Sequence, residues 1–98
     1  MAESQDPSWW VYLVRCSDGT LYTGIAKDVL ARVAGHNRRV GAKYTRGRVP
    51  VELVYREQMA SRSAALQREY AIKQLSRAQK FRMIADFQRR YGRFDQDA

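Results

Sequence analysis

Residues 9–26 constrain the fold more than any other segment, because they predict a β-hairpin whose first strand is apolar on both faces. The segment reads WWVYLVRC, SDGT and LYTGIA, and its aromatic and β-branched runs favour strands on either side of a turn. Alternation along the first strand places Trp10, Tyr12 and Val14 on one face and Val11 and Leu13 on the other. We therefore expect helices to cover both faces of the sheet, at least in part.

The rest of the chain predicts a third strand, three helices and a basic loop. In chain order these are a helix from Asp28 to about residue 39, a loop at 41–50, a strand at 51–57, a helix from Ser61 to about residue 74 and a helix from Ser76. Asp and Ser are favoured N-caps, and Ser76 with Gln79 has the spacing of a capping box. The apolar side of the first helix is predicted to consist of Val29, Val33 and Ala34. The predicted order is ββαβαα.

The net charge of the chain indicates what kind of molecule it binds. The 98 residues include 18 Lys and Arg against 10 Asp and Glu, which gives a formal net charge of +8. Arginine predominates among the cations, and its planar guanidinium suits phosphate. We therefore expect a polyanionic partner, with nucleic acid favoured over the simpler interpretation that some small proteins are merely basic.

Length and cysteine content limit the organisation of the chain. We expect one domain at 9–90, with flexible segments at 1–8 and 91–98. The single cysteine, Cys16, excludes an intrachain disulfide and does not indicate a thiolate zinc site. Residues 1–8 lack the blocks of a signal peptide, and no apolar run is long enough to span a membrane. These features predict a monomer in the cytoplasm with no membrane partner.

The length of the hairpin loop decides whether two tyrosines share a face. With a loop of two or four residues, Tyr12 and Tyr22 fall on opposite faces, because side chains alternate along a strand. With a three-residue loop at 17–19, Tyr12 lies opposite Gly24 and shares a face with Tyr22. Gly19 occupies the position that favours a left-handed residue in such loops. On residues alone, two ordinary strand tyrosines and a bulge glycine are the favoured interpretation.

Three further polar residues have a spacing that suggests either a surface or a site. Arg32 and His36 are four residues apart and share a helix face, which we predict to differ from the Val29 and Val33 face. A solvated surface explains this pair, and a zinc site is disfavoured because no second His or Cys is near. Glu69 lies among apolar helix neighbours and so needs a partner, either an arginine or a divalent cation such as magnesium. Spacing alone leaves both open.

Taken together, these residues resemble the GIY-YIG endonuclease superfamily. VYL at 11–13 and YTG at 22–24 are similar to its two half-motifs, and the agreement continues in order through Arg32, His36 and Glu69. The resemblance covers about residues 9–85, and GAKYTRGR and REYAIKQLSRAQK look like the small, stand-alone, single-domain bacterial branch. The first half-motif departs from the name, since valine and leucine flank its tyrosine, but the tyrosine itself is kept.

The resemblance implies an α+β fold, a three-stranded antiparallel sheet flanked by helices. It also implies metal-dependent hydrolysis of DNA phosphodiester bonds, on substrates that the sequence leaves open and that include structured or damaged DNA. Its implied catalytic residues are Tyr12, Tyr22, Arg32 and His36, with Glu69 as ligand of Mg²⁺ or Mn²⁺ and Gly24 letting the backbone approach the substrate. We favour Tyr12 as the base and Tyr22 as the positioning group, although the sequence does not order them. Relatives also carry an amide residue after the glutamate, for which Gln74 and Gln79 both qualify.

Binding to DNA is assigned to the basic loop. Its cationic side chains, Lys43, Arg46 and Arg48, are predicted to contact the DNA backbone beside the active site. The competing hypothesis is a DNA-binding module that keeps the fold without catalysis. A protein-interaction adaptor would explain exposed aromatic residues but not the ordered set of polar residues.

Overall fold

A computed structural model describes residues 6–93. The elements are β1 (Trp10–Arg15), β2 (Leu21–Ala26), α1 (Val29–Asn37), a 3₁₀ turn (Lys43–Thr45), β3 (Glu52–Gln58), α2 (Arg62–Lys73) and α3 (Arg77–Tyr91). The three strands form one antiparallel sheet in the order β2-β1-β3, so β1 is the central strand. The predicted α+β class and ββαβαα order are confirmed. Within the described part of the chain, no helix has the length and apolar character needed to cross a bilayer.

The hairpin has the three-residue loop that Gly19 favours. Cys16 N–H donates to the carbonyl of Thr20 at 2.8 Å, and Gly19 has a φ of 83°. Tyr12 pairs with Gly24 across the two strands. The predicted register is therefore confirmed, and it orients the side chains of Tyr12 and Tyr22 to one face of the sheet.

Both faces of the sheet are covered, as the apolar pattern of β1 predicts. On one face, Tyr12 and Val14 pack with Val29 and Val33 of α1. On the other face, buried residues of β1 and β3 pack against buried residues of α2 and α3. The strands contribute Val11, Leu13, Val54 and Tyr55, and the helices contribute Ala65, Ile72 and Ile84. α1 and the 3₁₀ turn that follows it both pack on the first face, and the polar residues considered below lie where they meet.

Side-chain caps begin each α-helix where the sequence indicates. Asp28 accepts a hydrogen bond from the N–H of Ala31, and Ser61 accepts one from the N–H of Ala64, both at 3.0 Å. The capping box forms in both directions, with Ser76 accepting from the Gln79 N–H and Gln79 Oε1 accepting from the Ser76 N–H. The Gln79 side chain is therefore committed to its helix cap.

The two chain ends are described only in part. Residues 1–5 and 94–98 lie outside the described residues, so most of both predicted flexible segments does too. Asp6 N–H donates to the carbonyl of Ala60 at 2.7 Å, and its carboxylate pairs with Lys27 at 3.1 Å. At the other end, α3 continues to Tyr91, the first residue of the segment predicted as a tail.

One predicted helix face is wrong. His36 is buried on the same side of α1 as Val29 and Val33, whereas Arg32 and Ala34 are exposed. His36 follows Val33 by three residues, which places both on one side of a helix. Burial of the ring is tolerated because both of its nitrogens have hydrogen-bond partners.

Candidate active site

The centre of the candidate site is a buried hydrogen bond between β1 and α1. Tyr12 Oη lies 2.8 Å from His36 Nε2, and each residue is only 1% exposed. The ring of Tyr22 completes the group, with its centroid 6.4 Å from Tyr12 and 5.2 Å from His36. Strand register and helix position thus bring together three rings that the sequence separates by up to 24 residues.

The end of α1 that carries His36 is anchored to Val51, the residue before β3. The Asn37 side chain donates to the carbonyl of Val51 at 3.1 Å and accepts from its N–H at 2.7 Å. This double contact holds the last turn of α1 beside the sheet. The other ring nitrogen, His36 Nδ1, lies 2.8 Å from Thr45 Oγ1, and that hydroxyl donates to the carbonyl of Ala42 at 2.9 Å.

Two glycines provide the space for these rings. A Cβ added at Gly24 would lie 2.7 Å from Tyr12 Oη, and one added at Gly41 would lie 2.4 Å from His36 Nδ1. Real Cβ atoms do not approach other heavy atoms so closely. Gly24 is therefore covered by the Tyr12 ring, so its observed contact is with that ring, while the close approach to substrate remains a prediction.

Arg32 and Glu69 act electrostatically on the same rings. The Glu69 side chain, on α2, is 19% exposed, and its carboxylate lies 3.5 Å from Lys73 Nζ. From the residues we left an arginine and a divalent cation open as its partner, and the cation in contact is a lysine one helical turn away. Negative charge at Glu69 disfavours ionisation of Tyr12 and Tyr22, and positive charge at Arg32 favours it. All five predicted polar residues therefore belong to one electrostatic neighbourhood.

Burial keeps all three rings neutral near pH 7. It raises the pKa of Tyr12 far above the ordinary tyrosine value, with smaller upward contributions from Tyr22 and Glu69 that Arg32 opposes. It also raises the pKa of Tyr22. It lowers the pKa of His36, and the charge of Arg32 lowers it further. Tyr12 is thus a protonated phenol, and His36 is a neutral imidazole with one nitrogen available as an acceptor.

The ligand chemistry of the site suits a hard cation. Within residues 6–93, no three His, Cys, Asp or Glu side chains lie together as a metal site. Glu69 contributes a partly buried carboxylate. Magnesium binds through one or two carboxylates and keeps waters and phosphate oxygens as its other ligands, whereas structural zinc needs a fuller set of protein ligands. With this one carboxylate, the site would hold magnesium only where water and phosphate oxygens supply the other ligands.

The predicted DNA-binding loop packs against both the hairpin and the site. Arg48 Nε donates to Asp18 at 3.0 Å, and its guanidinium lies 4.1 Å from the ring centroid of Tyr44, which stacks on Tyr22. Arg48 therefore ties the loop to the hairpin turn, while Lys43 and Arg46 are exposed. Two lysines, one on α2 and one on α3, also lie beside the site. A shallow pocket of about 260 Å³ beside Tyr22 is lined by Leu21, Tyr22, Thr23, Tyr44, Lys73 and Lys80.

Comparison with known proteins identifies the family. The sequence model of the GIY-YIG catalytic domain matches residues 8–82. The chain belongs to the GIY-YIG family. UPF0213 proteins of Staphylococcus aureus strains Mu50 and N315 are each 58% identical to it over 79 residues, which is 81% of this chain and 96% of each relative. A UPF0213 protein of Bacillus halodurans, solved by NMR in solution, is 42% identical with a TM-score of 0.51, covering 79% of this chain and 82% of that one.

Sequence reasoning missed four residues that contact or line the candidate site. They are Gly41, Thr45, Lys73 and Lys80. Lys73 follows Glu69 by four residues on the same helix, so its contact with Glu69 could have been predicted from the sequence. Neither Gly41 nor Thr45 carries such a signal, because their contact with His36 depends on how the loop returns over α1. Gln74 ends α2 as its C-cap residue, and no contact made by either candidate glutamine assigns it to the site.

Proposed function

We propose that this GIY-YIG domain is a magnesium-dependent endonuclease that hydrolyses phosphodiester bonds in DNA. The observation that carries the proposal is the buried Tyr12–His36 hydrogen bond beside Tyr22, in the field of both Arg32 and Glu69. A core needs no such polar pair, whereas hydrolysis of a phosphodiester needs a proton acceptor, a cation for the phosphate and a carboxylate for a metal. The net charge of +8 supports a polyanionic substrate.

The proton path follows from the neutral state of both rings. Tyr12 cannot begin as a phenolate, because burial raises its pKa. His36 can accept a proton, since burial keeps its imidazole neutral and Nε2 faces the phenol at 2.8 Å. We assign to Tyr12 the transfer step: it takes a proton from the attacking water as it gives its own to His36 Nε2. The water oxygen forms the new P–O bond while the bridging P–O bond breaks, and the departing alkoxide takes a proton from solvent.

The remaining side chains position and stabilise the phosphate. Arg32 offers a fork of N–H donors that suits two phosphate oxygens and the charge that develops on them. Tyr22 orients the substrate against the rings of Tyr12 and His36. Glu69 would hold the magnesium ion, which when bound supplies Lewis-acid activation of the phosphate and a fixed position for its oxygens. Lys73, half exposed at the rim, then becomes free to pair with DNA.

The test is cleavage by the purified protein. Supercoiled, nicked, flapped and branched DNAs are incubated with magnesium or manganese over a range of concentrations, with EDTA as the matched control. We expect nicking that saturates with metal and stops with EDTA. The metal should bind weakly without DNA, because one carboxylate leaves most ligand positions to water and phosphate.

A second function is a DNA-binding module without catalysis. It is favoured by one contact, since Lys73 already gives Glu69 a cationic partner at 3.5 Å without any metal. DNA binding at every metal concentration, with no nicking of any substrate, would support this function over the nuclease.

A further inference from the structure

The segment 41–45, GAKYT, contacts the one histidine of the chain from the side opposite Tyr12. Thr45 is fully buried in the 3₁₀ turn, and its hydroxyl has two neighbours, the Ala42 carbonyl and His36 Nδ1. A hydroxyl has a single proton, and a carbonyl can only accept. Thr45 therefore donates to Ala42, and it can only accept from His36.

This order of donors fixes the tautomer of the histidine. If Thr45 Oγ1 accepts, the proton of the neutral imidazole is on Nδ1, and Nε2 carries the lone pair. Nε2 lies 2.8 Å from Tyr12 Oη, so the phenol must donate to it. The chain of hydrogen bonds thus runs in one direction, from Tyr12 through His36 and Thr45 to the backbone of Ala42.

Gly41 allows the loop backbone to pack directly against the His36 ring. A Cβ at this position would meet His36 Nδ1 at 2.4 Å and its Cα at 3.0 Å, so only glycine lets the loop lie this close. The loop backbone and the Thr45 hydroxyl then confine the imidazole on the side away from Tyr12. With Thr45 at 0% exposure, no water replaces its hydroxyl as the partner of Nδ1.

We propose that Thr45 is a positioning residue, which holds His36 in the tautomer that can take a proton from Tyr12. This inference rests on the proposed function of the same site, and it gives the 41–45 loop a task distinct from DNA contact. In the other tautomer, Nε2 would donate to Tyr12 and could accept no proton from it. In a Ser-His-Asp site the buried acid has the equivalent task of holding the imidazole in the working tautomer.

The first measurement is ring ¹⁵N NMR on the folded protein, with any affinity tag removed. The chain has a single histidine, so its two ring nitrogens are assigned without ambiguity. At about pH 8, well above the ordinary histidine pKa of about 6.5, we expect Nδ1 to resonate as a protonated nitrogen and Nε2 as an unprotonated one. A protonated Nε2 in the wild-type protein would overturn the proposal, whether or not the protein cleaves DNA.

Two variants then separate positioning from simple packing. Thr45→Val keeps the shape but removes the acceptor, so we expect the Nε2–H tautomer to become populated and kcat to fall by at least about tenfold, with KM little changed. Thr45→Ser restores the acceptor and should restore both the spectrum and kcat. An unchanged tautomer in Thr45→Val, or failure of Thr45→Ser to recover it, would contradict the proposal.

Failure of the proposed function has a different signature. If Thr45→Val loses the Nδ1–H tautomer that the wild-type protein shows, but the wild-type protein cleaves no DNA under any metal condition, Thr45 still sets the tautomer and the nuclease assignment is wrong. If Thr45→Val does not fold, the wild-type and Thr45→Ser spectra decide the question, because Thr45→Ser must retain the Nδ1–H tautomer for the proposal to stand.

Discussion

Replacing Gly24 by alanine tests whether the Tyr12 ring needs the space that this glycine leaves. The added Cβ would lie 2.7 Å from Tyr12 Oη, 2.9 Å from Cζ and 3.0 Å from Cε1. Tyr12 is 1% exposed at the centre of β1, so its ring has little room to move aside. We expect the ring to shift by several tenths of an ångström and its hydroxyl to move away from His36.

Two terms set the magnitude of the effect. Overpacking a well-packed core costs about 1–3 kcal/mol. Loss of a hydrogen bond between two buried groups costs a further amount of about 1–3 kcal/mol when both are left unsatisfied. We therefore expect Gly24→Ala to lower the free energy of unfolding by roughly 2–6 kcal/mol, a large share of the stability of a small domain.

The assay is urea unfolding followed by tryptophan fluorescence, with the slope against urea held as a check on two-state behaviour. Gly47→Ala is the matched control, since a Cβ there meets no heavy atom within 4 Å. The double variant with Tyr12→Phe removes the closest contact, so it should lose less stability than the sum of the two single changes. If Gly24→Ala is as stable as Gly47→Ala, the packing argument is refuted.

Three other experiments test separate parts of the structure. Burial lowers the pKa of His36, so the free energy of unfolding should fall as pH drops below the unfolded value of about 6.5, and His36→Gln should abolish this dependence. Changing Lys43 and Arg46 together to Gln should reduce the slope of log affinity for DNA against log salt by about 2, whereas Arg89→Gln on α3 should leave it unchanged. Gly35→Ala, in the interior of α1, places a Cβ at an ordinary 3.9 Å contact and should stabilise the protein by about 0.5–1 kcal/mol in urea unfolding.

Each of these has a contradicting outcome. Stability that does not change between pH 5 and pH 7 would mean that the His36 ring is as accessible to protons as in the unfolded chain. An unaltered salt slope would locate DNA away from the 41–50 loop. Loss of stability in Gly35→Ala would mean that α1 packs more closely at this position than the 3.9 Å contact indicates.

The local parts of the fold follow from the sequence because each has a local cause. Gly19 fixes the loop length of the hairpin, and the loop length fixes the register that orients Tyr12 and Tyr22 to one face. Capping residues mark the starts of the helices, since their side chains bond the N–H groups of the first turn.

The non-local contacts of the site do not follow in this way. Periodicity could not bury His36, because a polar ring is buried only when its partners are known, and they lie 24 residues before it and nine after it. The same limit applies to Glu69, whose spacing leaves an arginine and a metal open while the nearest cation is Lys73. The resemblance to a family, which rests on the order of these residues along the chain, predicted that the polar residues share a site. Hydrophobic periodicity alone did not predict this.

The central claim is that Glu69 and the ring cluster act as one hydrolytic site, and single-turnover nicking by Glu69→Gln tests it most directly. Glu52→Gln is the matched control, since it removes the same charge from an exposed position on β3. Both variants must first be shown to be folded and to bind DNA like the wild-type protein. We predict magnesium-dependent nicking by the wild-type protein and Glu52→Gln and none by Glu69→Gln. Nicking by Glu69→Gln at the wild-type rate would remove Glu69 from the mechanism and contradict the account.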